Sequence, residues 1–150
     1  MITGQVHAGI TVGDLDRSVA FYRDILGLRH VKTEPPRASR GERLGVPGAR
    51  IKIAIMDYPG GSIELIQYFE PKSQKEKAEP VNSIGQVHIA FQVDDIEKTI
   101  EKMVEKGVEF IGGNKHEVIS DGPLQGWKWI YFKDPDGTNL ELIEGKLSED

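Results

Sequence analysis

Four side chains of this chain have the chemistry to hold a metal ion or move a proton. They occur as two matched pairs, His7 with His88 and Glu64 with Glu141. His7 sits in Val6-His7-Ala8-Gly9-Ile10-Thr11-Val12, and His88 sits 81 residues later in Val87-His88-Ile89-Ala90-Phe91-Gln92-Val93. Side chains alternate along a strand, so Val6, Ala8, Ile10 and Val12 share an apolar face from which His7 turns away. Val87, Ile89, Phe91 and Val93 do the same for His88. Glu64 in Ile63-Glu64-Leu65-Ile66 and Glu141 in Leu140-Glu141-Leu142-Ile143 are 77 residues apart, each pointing opposite to its apolar neighbours. If each half of the chain curls a sheet into a half-cup and the cups meet, two imidazoles and two carboxylates converge. Such a group would be costly to bury unpaired, and a divalent cation gives every lone pair a partner. With zero cysteines there is no thiolate ligand, and two nitrogens with two oxygens suit Mn, Fe, Co, Ni or Zn without choosing among them. A lone strand histidine is more often a hydrogen-bonded structural residue, and a lone glutamate is usually just solvated. Recurrence of both at matched places is what favours the metal.

The elements that must position these residues repeat as well. Asp14-Leu15-Asp16-Arg17-Ser18-Val19 maps onto Asp95-Ile96-Glu97-Lys98-Thr99-Ile100 at the same spacing of 81, marking an internal duplication. Strand one is predicted over 5–12. Asp14 caps a helix over 15–26, whose stripe of Leu15, Val19, Tyr22 and Ile25/Leu26 ends at Gly27. A short strand at 28–33 precedes an irregular loop, 34–48, rich in Pro, Gly and Arg. Strands 49–57 and 62–68 flank the turn Tyr58-Pro59-Gly60-Gly61. The second half repeats this order: strand 86–93, helix 95–106 with Ile96, Ile100, Met103 and Val104 inward, strand 108–111, loop 112–126, strand 127–133, turn Asp134-Pro135-Asp136-Gly137 and strand 138–144. The expected architecture is therefore α+β, one domain over 1–150 built of two tandem βαβββ modules, 1–69 and 86–145, joined by a polar linker 70–85. The tail 146–150 is expected to fray. His30 and His116 lack the repeat symmetry and read as surface or loop residues, His116 with some claim to the cavity mouth. Arg37, Arg40 and Arg43 in the first long loop either attract an anionic substrate or keep the loop soluble.

Composition narrows the function classes. A formal charge of −5 disfavours binding to a phosphate backbone, so no nucleic-acid partner is expected. No apolar run approaches the ~20 residues of a membrane span, and the N-terminus lacks a signal-peptide core, which points to a cytoplasmic address. The partner expected is a small molecule.

With these residues in place the chain resembles single-chain members of the vicinal oxygen chelate superfamily, which includes glyoxalase I, methylmalonyl-CoA epimerase, extradiol ring-cleaving dioxygenases and bleomycin or fosfomycin resistance proteins. The resemblance rests on His7 with Gly13-Asp14-Leu15-Asp16-Arg17-Ser18-Val19-Ala20-Phe21-Tyr22 and Leu26-Gly27-Leu28, on Ile63-Glu64-Leu65, on Val87 to Asp95, and on Phe132-Lys133-Asp134-Pro135-Asp136-Gly137 before Leu140-Glu141-Leu142. It implies the cupped mixed sheet of the glyoxalase-like fold, a homodimer, and a metal held by His7, Glu64, His88 and Glu141. The chain differs from glyoxalase I in having Thr11 where an arginine usually grips glutathione, and Leu65-Ile66-Gln67-Tyr68-Phe69 where an aromatic, asparagine-bearing run is usual. It differs from methylmalonyl-CoA epimerase in Asp134-Pro135-Asp136-Gly137, where His-Pro is usual. That enzyme's extra proton-shuttling glutamate would fall near Glu42 or Arg43. The chemistry that uses this ligand set best is proton transfer next to a carbonyl by a lyase, isomerase or epimerase. The ion would stabilise an enolate or enediolate while a carboxylate, Glu141 first and Glu64 second, moves the proton. An extradiol dioxygenase is the rival enzyme, and a metal-free drug-binding protein of the bleomycin-resistance type is the rival binder. Loops 34–48 and 112–126 are candidates to shape the substrate mouth.

Overall fold

The computed structural model describes residues 1–38, 41–75 and 77–145. Arg40, the tail 146–150 and the side chains of Arg37 and Glu42, on which expectations fell, lie outside what is described. The chain divides into two compact units, Met1–Lys77 and Ala78–Asp150.

In the first unit β1 (Ala8–Thr11), α1 (Leu15–Ala20), β2 (Arg29–Ala38), α2 (Gly41–Leu44), β3 (Arg50–Tyr58) and β4 (Gly61–Glu70) build a four-stranded sheet in the order β1-β4-β3-β2. β1 runs parallel to β4 and the other pairs are antiparallel. Asp14 caps α1 as its sequence requires, its Oδ1 accepting the Arg17 backbone N–H at 3.0 Å. After Ala20 the helix widens into a π turn over Phe21–Ile25 and ends at Gly27, which takes a φ of 74°. Leu15 and Tyr22 are fully buried and Val19 nearly so, and α1 lies against β3 and β4 over a core completed by Ala54, Met56, Ile63 and Leu65.

The second unit repeats the plan with β5 (Ile89–Gln92), α3 (Ile96–Glu105), β6 (Glu117–Val118), β7 (Lys128–Lys133) and β8 (Asn139–Glu144), ordered β5-β8-β7-β6 with β5 parallel to β8. Asp95 caps α3 through the Lys98 N–H at 2.9 Å. A Schellman stop closes its other end, with Val108 N–H donating to Met103 O and Gly107 N–H to Val104 O. Ile96, Ile100 and Met103 are buried, as are Phe132, Leu140 and Leu142 of the sheet, and α3 lies against β8.

Several expectations need correction. β2 runs to Ala38, through Pro35 and Pro36, and loop 34–48 also holds α2, so this segment is less irregular than its composition suggests. The prolines are tolerated because β2 is an edge strand and its register slips between Glu34 and Arg37, where ladder N–H groups are not needed. The strand expected at 108–111 reduces to a single bridge between Phe110 and Phe132. Gly112 and Gly113, with φ of 82° and 105°, turn the chain away directly after it. Val104 is 37% exposed, so it lies at the edge of the α3 stripe and not within it. Val6 and Val87, expected on the apolar faces, are 81% and 76% exposed. Both precede their strands, which begin only at Ala8 and Ile89, before the helix and sheet can cover them.

Candidate functional site

The histidines stand immediately before the first strand of each unit and the glutamates inside the central strand beside it. In the first unit Gly9 pairs with Glu64 across the parallel β1–β4 ladder, and His7, two residues earlier, falls on the same side as the carboxylate. Ser62 Oγ donates to Val6 O at 3.0 Å, tying down the residue before His7 although the ladder has not yet begun. His7 Nε2 lies 3.4 Å from Glu64 Oε2. The neighbours Ile63 and Leu65 are fully buried on the opposite face, which leaves Glu64 no other direction to take.

The second unit repeats this pairing more tightly. Ala90 pairs with Glu141, and His88 Nε2 lies 3.1 Å from Glu141 Oε2. Glu141 is only 7% exposed, between Leu140 and Leu142 of the core. Burial raises its carboxyl pKa above the ordinary value, against the lowering effect of His88 and of a hydrogen bond from Tyr131. Tyr131 stands directly across the β7–β8 ladder from Glu141. Its hydroxyl is 3.1 Å from His88 Nε2, and the two rings meet edge to face at 5.2 Å. Burial, and then the Glu141 charge, raise the Tyr131 pKa as well, so the hydroxyl stays protonated and donates. Trp129, on the same face two residues earlier, packs edge to face on Tyr131 at 5.6 Å.

The repeat is thus broken at its most informative place. Opposite Glu64 the first unit has Ile55, whereas opposite Glu141 the second has Tyr131. Tyr131 was not singled out from the sequence. The available signal was its place in Lys128-Trp129-Ile130-Tyr131-Phe132-Lys133, where Ile130 and Phe132 claim the core and leave Trp129 and Tyr131 on the glutamate's face.

Other titratable side chains find different uses. His30 Nε2 is 2.8 Å from Thr33 Oγ1 on the exposed edge strand, as a surface residue would be. His116 turns to Glu97, 3.7 Å away. Asp95, Glu97 and Glu144 bring three carboxylate oxygens within 4.8 Å of one another at the start of α3. That group already has its cations: Lys128 Nζ lies 3.1 Å from Glu97 and 3.0 Å from Glu144, Lys98 Nζ 2.7 Å from Asp95, and the Ile96 N–H donates to Glu144. It stabilises the helix N-terminus and leaves the His–Glu pairs as the metal-ligand candidates. Each pair holds one imidazole nitrogen and one carboxylate oxygen within 3.5 Å of each other, donors of the kind a divalent first-row ion takes. No helix among the described residues is long and apolar enough to cross a membrane.

The model of the Glyoxalase/Bleomycin resistance protein/Dioxygenase superfamily matches residues 4–142. The chain belongs to that superfamily. Among its relatives, a 2-epi-5-epi-valiolone epimerase from Actinomyces is 33% identical, over 91% of this chain and 76% of the relative. A lactoylglutathione lyase from Haemophilus influenzae is 32% identical, over 96% and 94%. The crystal structure of a glyoxalase family protein from Bacillus cereus superposes with a TM-score of 0.79 at 23% identity, over 97% of this chain and 95% of that one. The glyoxalase-like fold with its two modules is therefore the fold of this superfamily member.

Proposed function

We propose that this protein is a metal-dependent enzyme that moves a proton on the carbon next to a carbonyl of a small molecule, as a lyase, isomerase or epimerase. The observation that carries the reading is the repeated closure of a histidine just before a strand on a glutamate in the neighbouring strand, at 3.4 Å in one module and 3.1 Å in the other. His7, Glu64, His88 and Glu141 are the proposed ligands. A divalent ion bound by them would supply Lewis-acid stabilisation of negative charge on a substrate oxygen. Glu141 is the proposed base. Burial raises its proton affinity, which favours taking a proton from carbon and holding it at Oε2, and Tyr131 keeps the carboxylate oriented through its hydroxyl. Glu64, more exposed and without a tyrosine, is the second candidate. Two relatives point the same way, one named an epimerase and one a lyase. Thr11 stands in β1 opposite Ile66, and with no arginine there a substrate other than a glutathione adduct is favoured.

The full chain of two modules is proposed to act as a homodimer in the cytoplasm. Metal analysis of the purified protein, with His7, Glu64, His88 and Glu141 each changed to alanine, tests the ligand set. Each change is expected to lower bound metal, and full retention in all four would end the proposal. In D₂O, α-carbonyl substrates should exchange deuterium in the wild type and not in Glu141→Gln. Oxygen uptake with a catechol would favour the dioxygenase reading instead.

A further inference from the structure

The edge strand of each sheet carries the same lysine and glutamate, two residues apart, and the two units use them differently. In the first, Glu34 of β2 stands across the ladder from Ile53, and Lys32 Nζ lies 3.1 Å from Glu34 Oε1. In the second, Glu117 of β6 stands across from Trp129, with Lys115 two residues earlier. Ile53 and Trp129 are themselves counterparts, since they pair with Ile66 and Ile143 at matched places in the central strands. In the second unit the two charges do not meet. Among the described residues neither Lys115 nor Glu117 has an ion-pair partner. His116 between them turns the other way, to Glu97 of α3. Lys115 and Glu117 both line a cavity of about 490 Å³, within the range of small-molecule sites. Val81, Ile111, Trp129 and Tyr131 give that cavity an apolar and aromatic wall.

We propose that this cavity binds the α-amino acid group of a ligand with an apolar side chain, its ammonium held by Glu117 and its carboxylate by Lys115. An extended chain advances about 3.3 Å per residue, so side chains two residues apart are rooted about 6.6 Å from each other. In the first unit the two heads bend together and close that gap. An α-amino acid carries its ammonium and carboxylate on one carbon, and with a charged hydrogen bond of about 2.8 Å at each end it spans a gap of this size. Glu117 and Trp129 are direct cross-strand neighbours, rooted about 5 Å apart, so an ammonium on Glu117 comes within reach of the indole, whose π face attracts cations. Val81 and Ile111, 55% and 50% exposed, offer apolar surface for the ligand's side chain to cover. A carboxylate alone is drawn to Lys115 and repelled by Glu117, and an amine alone meets the reverse, so a zwitterion is the class that both charges favour. That this ligand is the substrate rests on the proton-transfer reading, whereas its binding does not.

The test is a titration of the full-length, ¹⁵N-labelled protein in EDTA with L-norleucine, with hexanoate, which lacks only the ammonium, and with pentylamine, which lacks only the carboxylate. The indole N–H resonance of Trp129, assigned by its loss in Trp129→Phe, should move with norleucine. Hexanoate and pentylamine should bind about fivefold more weakly, the upper range for one ion pair open to solvent. In Glu117→Gln the preference for norleucine over hexanoate should vanish, and in Lys115→Met the preference over pentylamine should vanish. Both positions are exposed, so neither change should disturb the fold. An indole resonance unmoved by norleucine, equal binding of all three ligands to the wild type, or preferences that survive both substitutions would overturn the proposal. No metal is present in this titration, so loss of metal or of deuterium exchange in the ligand variants bears on the catalytic reading alone. A silent Trp129 strikes this one alone.

Discussion

Glu141→Gln should change the sign of its effect on stability when metal is added. The amide keeps the shape of the side chain, with Oε1 able to accept from Tyr131 and Nε2 able to donate to His88. In metal-free protein the native carboxyl is raised above its unfolded value because burial disfavours its charge. The folded state then binds the proton more tightly than the unfolded state, and the cost of the ionised form grows as pH rises through the window between the two pKa values. Above that window the neutral glutamine should match or exceed the wild type in melting temperature, and below it the two should differ little. With metal at a hundredfold its Kd, binding should stabilise the wild type by about 2.7 kcal/mol. For a chain of this size that is a rise of about 5–10 °C. Glutamine is a poor ligand, so the variant should miss most of that rise and become the less stable protein. Differential scanning fluorimetry at pH 8, with EDTA and then with Ni, Co, Mn or Zn, reads both halves. A large loss of stability in Glu141→Gln already in EDTA would show that the carboxylate serves the fold through its hydrogen bonds, and the metal argument would lose its main support.

Tyr131→Phe should leave bound metal near the wild-type amount while slowing deuterium exchange roughly tenfold, the order expected for losing one hydrogen bond to a charged group; metal analysis and exchange rates on one preparation separate the two effects. Metal uptake should weaken on acidification sooner than ordinary carboxylate ligands would predict, since Glu141 takes up its proton at raised pH, and isothermal titrations between pH 5 and 8 will show whether affinity instead stays level. Asp14→Ala removes the acceptor of the Arg17 N–H and should cost about 1 kcal/mol, seen as a melting point lower by about 2–4 °C. Phe132→Ala, at a fully buried position against Phe110, should cost about 3–5 kcal/mol, and a loss of unfolding free energy in a denaturant titration of less than a third of that would contradict the packing described.

The sequence by itself determined the repeat, the βαβββ order of the first half, both aspartate caps and the two His–Glu pairs, whereas the strand that follows α3 in the second half lies at Glu117–Val118, inside the segment expected to be loop 112–126. Those features are written in local periodicity: alternation fixes which face a strand residue takes, and an aspartate before an apolar stripe fixes a helix start. Tertiary structure decided what depends on neighbours distant in the chain. Pro35 and Pro36 lie in a strand only because β2 is at an edge, and Val6 and Val87 stay exposed only because their ladders begin after the histidines. Tyr131 gained its place beside Glu141 from the β7–β8 register, and Glu117 its place beside Trp129 from the β6–β7 register. Pattern along a chain records which way a side chain points, but what it meets there is set by register and packing across strands, which no single segment contains.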